Sequence, residues 1–424
     1  MNDDTQGTTI TTTTTKNMHP MVTKRDAIAR RVKERNSWPT YYEATRLEGF
    51  KMLSNYARRS KIPSTKELDE EFPIKEVDWS LIKAADAASS SSPSAGALSS
   101  SSLSSVAGNG NDVIQSTWIG HASLLVQMGG WNILTDPVFE DRCSPVPGAG
   151  PKRYRRPAFT IQELMIKNSI HIDVVLISHN HYDHLEYHAV KEIAKLSLTH
   201  NTTDTTNTNT NTNRRQQSLT FVVALGLKAW FEKHIPASHR GRNRVIELDW
   251  HQSTILEGGV VGGGKTTDLK ITGLPMQHWS NRYMLDKDMT LWCGYAVTSS
   301  SSSNSGEDDL KYMFSGDTGF FEGVADIGEK YGPFDLAAIP IGAYAPRQFM
   351  KPAHMNPEDA VQFMQALRAR MATPIHWGTF QLTIEPLMEP RERLGVAMDD
   401  TGLDRATFRP LLIGETLICR RSRS

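Results

Sequence analysis

The chain has 424 residues, of which 47 are basic and 47 acidic, so its formal net charge is zero. A neutral balance argues against general nucleic-acid binding, which requires positive charge to meet phosphates. Its three cysteines, Cys143, Cys293 and Cys419, form neither a CxxC pair nor a disulfide framework, so we expect a reducing compartment.

The amino-terminal segments differ from the rest of the chain in composition. Residues 1–33 are Thr-rich and lack the apolar core of a secretory signal, so we expect a disordered tail on a cytoplasmic protein that is not secreted. Residues 34–85 are predicted to be helical. Within them, residues 38–56 could form an interfacial membrane helix or an ordinary amphipathic helix packed on the core. Residues 86–112 are rich in Ser, then in Gly and Asn, which indicates a flexible linker.

Residues 113–424 contain the predicted folded domain, which is long enough to bury one core. The runs HASLLVQM and WNILTDP, joined at Gly129 and Gly130, predict a β-hairpin. No stretch reaches the roughly 20 apolar residues of a membrane span, so any lipid contact would be peripheral. Low-complexity insertions are predicted between elements near residues 200–217, 258–267 and 299–309.

The motif HNHYDH follows a short apolar run at residues 174–177 and precedes a helical pattern. Imidazole and carboxylate are the ligands that a catalytic divalent transition metal prefers. The alternative is a polar loop of solvated histidines, which does not explain four such side chains after a buried strand. The candidate ligands in the motif are His179, His181, Asp183 and His184.

Three further candidates, His278, Asp317 and His376, each follow a short apolar run in the same way. Strands that end together at one edge of a sheet would bring these side chains to the motif, because α/β sites usually lie there. Taken singly, each histidine could be a core or surface residue, and Asp317 in SGDTG could be a turn residue. Because all three residues follow an apolar run as the motif does, we interpret them as metal ligands.

The number of candidate ligands predicts two metal ions. One zinc ion takes about four ligands, and a catalytic site leaves one position to water, so seven protein ligands overfill one ion. Two ions about 3.5–4 Å apart can activate a shared hydroxide and neutralise charge on a phosphoryl or carbonyl oxygen, so we expect hydrolysis. Zinc is the expected metal, although these ligand types also fit iron or manganese. The predicted assignment is His179, His181 and His278 for the first ion, Asp183, His184 and His376 for the second, and Asp317 as the bridge.

The pattern HxHxDH with a distant His, Asp and His resembles the metal motif of the metallo-β-lactamase superfamily. That resemblance implies an α/β fold, an αββα sandwich with a dinuclear metal site at one sheet edge. Longer strings, among them STWIGHASLLVQM, GPKRYRRP, LISHNHYDHLEY, GPFDLAAIPIGAY and IHWGTF, are similar to the N-acylphosphatidylethanolamine-hydrolysing phospholipase D family. The similarity runs from about Arg35 almost to the carboxyl terminus, broken by the insertions.

The resemblance implies hydrolysis of N-acylphosphatidylethanolamine to phosphatidate and an N-acylethanolamine, by attack of a bridging metal-bound hydroxide on phosphorus. Asp183 would ligate the second ion and orient the hydroxide or take its proton. Tyr182 and His354 would line the head-group pocket, although Tyr182 could simply pack beside the metals and His354 could be a surface residue before a helix. Asp136 in LTDP would be a buried anchor for a ligand, or an Asp-Pro turn. His121 in GHAS is expected only as a neighbour of the site.

The resemblance also implies a phospholipid substrate, peripheral membrane contact and a homodimer. The basic run at residues 152–156 could meet phosphates at a membrane surface or be a solvated loop. Two other functions stay open. One is a different hydrolase on the same fold, such as a lactonase or a soluble phosphodiesterase, and the other is a catalytically silent lipid-binding or scaffold protein.

Overall fold

The structure is a computed structural model built around two mixed β-sheets. It describes residues 36–42, 63–87 and 112–421, except 147, 200–217, 242, 262–264, 284 and 302–308. The predicted tail 1–33, the insertion 200–217 and most of the linker 86–112 lie outside the described residues. So do residues 43–62, which include most of the possible interfacial helix.

Thirteen strands are described. In chain order they are β1 (Val113–Gly120), β2 (Ser123–Met128), β3 (Trp131–Thr135), β4 (Val174–Ile177), β5 (Thr220–Ala224), β6 (Arg244–Leu248), β7 (Ser253–Val261), β8 (Lys265–Leu274), β9 (Gly294–Ser301), β10 (Leu310–Phe314), β11 (Phe334–Pro340), β12 (Ala369–Ile375) and β13 (Thr416–Arg420). The first sheet has the order β13-β1-β2-β3-β4-β5-β6, and the second has the order β12-β11-β10-β9-β8-β7.

Each sheet combines antiparallel and parallel pairing. In the first sheet the neighbours from β13 to β3 are antiparallel and those from β3 to β6 are parallel. In the second sheet β10, β11 and β12 are parallel, and the strands from β7 to β10 are antiparallel. Strands such as β4, with sequence VVLI, are buried along their whole length because both faces of the sheet are covered.

Helices cover the two sheets. They are α1 (Thr65–Glu71), α2 (Trp79–Ala87), α3 (Tyr187–Thr199), α4 (Lys228–His234), α5 (Ala237–Arg240), α6 (Val324–Tyr331), α7 (Arg347–Met350), α8 (Pro357–Ala366) and α9 (Glu389–Asp400), with a π-helical turn at Glu163–Lys167 and a 3-10 turn at Arg405–Thr407. One hydrophobic cluster joins side chains from both sheets and from the helices. The predicted αββα sandwich is therefore confirmed. Among the described helices, none has both the length and the apolar character needed to span a bilayer.

The predicted β-hairpin is also confirmed. Met128 pairs with Trp131, so only Gly129 and Gly130 form the turn, with φ of 53° and 78°. A two-residue turn of this kind needs positive φ at both positions, which glycine adopts without strain. Three stretches that we expected in insertions instead form the ends of paired strands. They are residues 258–261 in β7, 265–267 in β8 and 299–301 in β9.

Two arginines of the basic run are buried, and Trp38 is partly buried against the core. The side chains of Arg153 and Arg155 in the basic run are buried: Arg153 donates to the Val138 carbonyl at 2.9 Å, and Arg155 to Asp69 at 2.7 Å. Both readings of the run, a membrane contact and a solvated loop, are therefore wrong for these two arginines. At the amino-terminal side, the Trp38 ring lies 4.7 Å from the ring of Phe321.

Candidate metal centre

The candidate ligands lie at the carboxyl ends of strands from both sheets. The motif HNHYDH follows β4 in the first sheet, whereas His278, Asp317 and His376 follow β8, β10 and β12 in the second. Each strand is buried in its carboxyl-terminal part, and the polar side chains come where it ends. The two sheets therefore meet at one edge around the predicted ligands, and the structure brings all seven together.

His179, His181 and His278 form the first cluster, with ring nitrogens that all lie within 4.8 Å of one another. His179 Nε2 is 2.7 Å from His181 Nδ1, and His278 Nε2 is 3.4 Å from the same atom. Burial lowers the pKa of both His179 and His278 well below the ordinary value. These imidazoles are therefore neutral, which is the form that ligates a metal.

Asp183, His184 and His376 form the second cluster. The Asp183 Oδ2 atom is 3.4 Å from His184 Nε2 and 3.3 Å from His376 Nε2. The grouping matches the predicted second ion, and its two histidines are fully buried. The roles of these residues as ligands stay a prediction.

The carboxylate of Asp317 lies between the two clusters. Its Oδ2 atom is 3.1 Å from His184 Nε2 and 3.0 Å from His376 Nε2, and 3.8 Å from His278 Nε2 in the first cluster. A single carboxylate thus reaches ligand atoms of both groups, which is the position that a bridging ligand requires.

Buried acceptors orient the histidines toward the centre. His184 Nδ1 donates to Asp136 Oδ2 at 2.7 Å, because a carboxylate can only accept, and His278 Nδ1 donates to the Ala353 carbonyl at 3.0 Å. Each bond leaves Nε2 with its lone pair facing the other ligands, as in metal sites whose histidines are held by a second hydrogen bond. Asp136 also accepts from the Ser178 backbone at 2.7 Å, so it is an anchor rather than only a turn residue.

The centre attracts positive charge. Burial raises the pKa of a carboxyl, yet the neighbouring His184 and His376 hold the pKa of Asp317 well below its ordinary value. Burial lowers the pKa of an imidazole, yet Asp317 and Asp183 raise the pKa of His376 to about 9. Buried carboxylates must be neutralised, either by protons on these histidines or by a cation in their place. The nitrogen and carboxylate donors fit a divalent transition metal.

His121 belongs to the centre more closely than the sequence indicated. Its buried ring donates from Nε2 to Asp183 Oδ2 at 3.0 Å and lies 4.2 Å from the His376 ring. Its backbone carbonyl accepts from His376 N at 3.2 Å, and its backbone N–H donates to Thr379. His121 therefore connects the motif loop to the end of β12. Its place directly after the buried strand β1, like that of the other candidates at their strand ends, was the signal that could have identified it.

His354 faces the centre from the start of α8. Its ring is buried, 5.1 Å from the ring of His278, and its Nδ1 atom is 3.9 Å from Asp317 Oδ2. The alternative of a surface residue does not hold, although His354 does precede a helix, which begins at Pro357 with Asn356 as its N-cap.

Arg282 holds the motif loop from outside, a role that the sequence did not indicate. Its guanidinium donates to the carbonyls of Asn180 at 3.0 Å, within the motif, and Leu185 at 2.7 Å, directly after it. It also lies over the rings of Tyr182 at 4.2 Å and Trp230 at 5.0 Å. Since the motif loop and Trp230 both lie far from Arg282 in the sequence, one buried cation fixes the loop to its surroundings.

A cavity of about 620 Å³ opens beside the centre. Tyr182, from the motif itself, lines it together with Arg282 and Trp230, and its wall combines Tyr and Trp rings with charged side chains. The motif therefore contributes both candidate metal ligands and one side chain of the cavity wall.

The loop that carries His278 has a further support from the amino-terminal segment. The Asn36 amide donates to the His278 carbonyl at 2.6 Å, and Thr40 donates to the Gln277 side chain at 2.6 Å. Residues 36–42 therefore pack beside the centre.

Comparisons with known proteins agree with this architecture. A family model described as "Beta-lactamase superfamily domain" matches residues 131–377. The chain is 41% identical over 285 residues to "N-acyl-phosphatidylethanolamine-hydrolyzing phospholipase D 1" of Caenorhabditis elegans, covering 67% of this chain and 69% of that one. It is 28% identical over 302 residues to "N-acyl-phosphatidylethanolamine-hydrolyzing phospholipase D, mitochondrial" of Saccharomyces cerevisiae, covering 70% and 55%.

Among solved structures, isothiocyanate hydrolase from Delia radicum gut bacteria is similar with a TM-score of 0.48 and 17% identity, over 72% of this chain and 98% of that one. The superfamily model spans more than half of the chain, and the nematode relative matches it at 41% identity. The protein is therefore a hydrolase of the metallo-β-lactamase superfamily and belongs to the N-acylphosphatidylethanolamine-hydrolysing phospholipase D family.

Proposed function

We propose that the protein is a metal-dependent phosphodiesterase of the phospholipase D type, which hydrolyses N-acylphosphatidylethanolamine to an N-acylethanolamine and phosphatidate. The observation that carries the reaction class is the Asp317 carboxylate, within 3.8 Å of ring nitrogens in both histidine clusters. The names of the nematode and yeast relatives support the substrate. The cavity beside the motif, whose wall combines aromatic and charged side chains, supports a bulky substrate with both apolar and polar parts.

The two clusters have the donors for two divalent ions, and we propose zinc. The first ion would be held by His179, His181 and His278, the second by Asp183, His184 and His376, and both by Asp317. When bound, such ions supply an activated water and neutralise the negative charge that develops on the phosphoryl oxygens.

Asp183 is proposed to orient the attacking water rather than to remove its proton. Burial would raise the pKa of this carboxyl, but His184 and the hydrogen bond from His121 contribute to holding that pKa well below its ordinary value. A carboxylate with so low a pKa is a weak base at neutral pH but a persistent hydrogen-bond acceptor.

His354 and Tyr182 are proposed to position the head group. Burial lowers the pKa of His354 to about 3, so its ring is neutral and can donate one hydrogen bond to a phosphate oxygen. Tyr182 lines the cavity with its ring held under Arg282. A phosphodiester between the two would have its phosphorus near the metals and its acyl chains in the cavity or at its mouth.

The test is the release of N-acylethanolamine from vesicles that contain N-acylphosphatidylethanolamine, measured by mass spectrometry. We expect release that a chelator abolishes and that added zinc restores. Iron and manganese additions, tested in parallel, identify the metal. A lactone and a soluble phosphodiester serve as competing substrates. Metal-loaded protein that hydrolyses either of these but releases no N-acylethanolamine would refute the lipid substrate and favour another hydrolase on this fold.

A further inference from the structure

The mouth of the cavity carries large apolar side chains that face solvent. Val146 and Tyr283 both line the cavity and are 56% and 48% exposed, and Leu285, two residues after Tyr283, is 95% exposed. These three residues are called the mouth patch below. Single exposed apolar residues are common on proteins, but their concentration at one opening is a feature of interaction surfaces.

The turn that presents Tyr283 and Leu285 is held by hydrogen bonds. The Asp286 side chain accepts from the backbone N–H groups of Arg282 at 2.9 Å and Tyr283 at 2.6 Å, and Met289 N donates to the Asp286 carbonyl at 3.1 Å. The turn follows Arg282, which is itself bonded to the motif loop. The exposure of Leu285 is therefore built into a turn that is coupled to the metal centre.

We propose that the mouth patch inserts into the head-group region of a lipid bilayer and seats the cavity mouth on the membrane. The inference rests on the proposed function, since a lipid substrate must pass from the bilayer into the cavity. Tyr182, which precedes the predicted ligand Asp183 in the metal motif, lines the same cavity as Val146 and Tyr283. An aromatic ring with aliphatic neighbours is the composition that favours the interface between water and lipid.

The size of the patch favours a bilayer over a protein partner. Three side chains offer a few hundred Å² at most, whereas a specific protein interface buries about 800 Å² on each partner. Insertion into lipid needs no matching surface, so a small patch is sufficient.

The charges around the mouth predict how the contact depends on salt. Among the residues that line the cavity, Arg142 and Arg282 are cationic, whereas Glu140, Asp141 and Glu186 are acidic. This lining has no positive excess that would select anionic lipids. We therefore expect binding to zwitterionic phosphatidylcholine vesicles, with little change as the salt concentration rises.

The experiment compares two double variants of the full chain. Val146→Ser with Leu285→Ser removes the aliphatic part of the mouth patch. Ile166→Ser with Val396→Ser is the matched control, because these residues are 51% and 55% exposed and do not line the cavity. Sedimentation with phosphatidylcholine vesicles gives the partition coefficient. We expect about a tenfold decrease for the mouth variant and less than a twofold change for the control.

The outcomes separate this inference from the proposed function, because the vesicles contain no substrate. A mouth variant that sediments with vesicles as wild type does, or a wild-type protein that does not bind them, would overturn the proposal. So would a mouth variant that changes the oligomeric state in sedimentation velocity but leaves vesicle binding intact, since the patch would then contact a second copy. The expected loss of binding in a protein that releases no N-acylethanolamine would uphold the membrane contact and refute the substrate.

Discussion

The metal centre and the cavity mouth are adjacent but differ in how their side chains are held. At the centre, His184 and His278 each make a buried hydrogen bond that fixes the direction of the ring. At the mouth, Val146 and Leu285 project apolar carbon into solvent. The difference indicates that the centre carries out the chemistry with side chains held in fixed orientations, whereas the mouth makes surface contact through exposed apolar side chains. Changes at the centre should therefore act on metal and turnover, and changes at the mouth on partitioning.

Asp317→Asn should produce the largest effect, because the amide lacks the charge that neutralises a cation between the two clusters. We expect activity to fall on the order of 1000-fold, more than the roughly 10–100-fold typical of residues that only orient a ligand. Asp326→Asn, an exposed aspartate on α6, is the matched control and should retain activity. If Asp317→Asn hydrolyses the substrate at the wild-type rate, Asp317 does not bridge the two metal ions.

His354→Ala should separate turnover from metal binding. The ring faces Asp317 but belongs to neither ligand cluster that the sequence predicted. We expect about a 100-fold lower kcat with unchanged metal content, as for loss of a group that positions a reacting phosphate. Elemental analysis and steady-state kinetics measure both quantities, with His251→Ala on the surface as control. Loss of metal from His354→Ala would make His354 a ligand.

His121→Leu should weaken the second cluster without removing a predicted ligand. Leucine fills similar space but cannot donate to Asp183, so the carboxylate loses one of its orienting bonds. We expect about 50-fold weaker retention of one metal ion in a chelator competition. His121→Gln restores a donor and should recover most of the affinity. Equal behaviour of the two variants would show that His121 only fills space.

Arg282→Lys should have the smallest effect at the centre, since it keeps the charge but loses the planar guanidinium whose Nη1 donates to both carbonyls. We expect about tenfold weaker zinc binding, measured by competition with a coloured chelator. Arg155→Lys is the control, because Arg155 is also buried but bonds to Asp69 instead of the motif loop. Unchanged zinc affinity in Arg282→Lys would mean that the motif loop does not depend on the hydrogen bonds from Arg282.

The features that the sequence predicted are encoded locally. The Gly129-Gly130 turn lies between two apolar runs, and the motif at residues 179–184 follows a buried strand, so a short window contains the whole signal. His278, Asp317 and His376 are far apart in sequence, yet each carries the same local sign of a polar residue at a strand end.

The features that the sequence did not predict depend on partners far along the chain. His121 follows a strand as the other candidates do, but its hydrogen bond joins it to Asp183, 62 positions away. Arg282 donates to carbonyls 97 and 102 positions away. No local pattern records these pairings. The Gly- and Thr-rich stretch at residues 258–267 resembles a loop by composition. Its described residues, 258–261 and 265–267, lie in strands because β7 and β8 supply hydrogen bonds to each other.

The most direct test of the account is the number of metal ions per chain in active protein. Elemental analysis should find two divalent ions per chain, and stepwise chelation should remove them together with hydrolytic activity. Their return should restore activity and raise the Tm, because a metal that binds only the folded chain stabilises it. Full activity with one ion per chain would contradict the two-cluster centre bridged by Asp317.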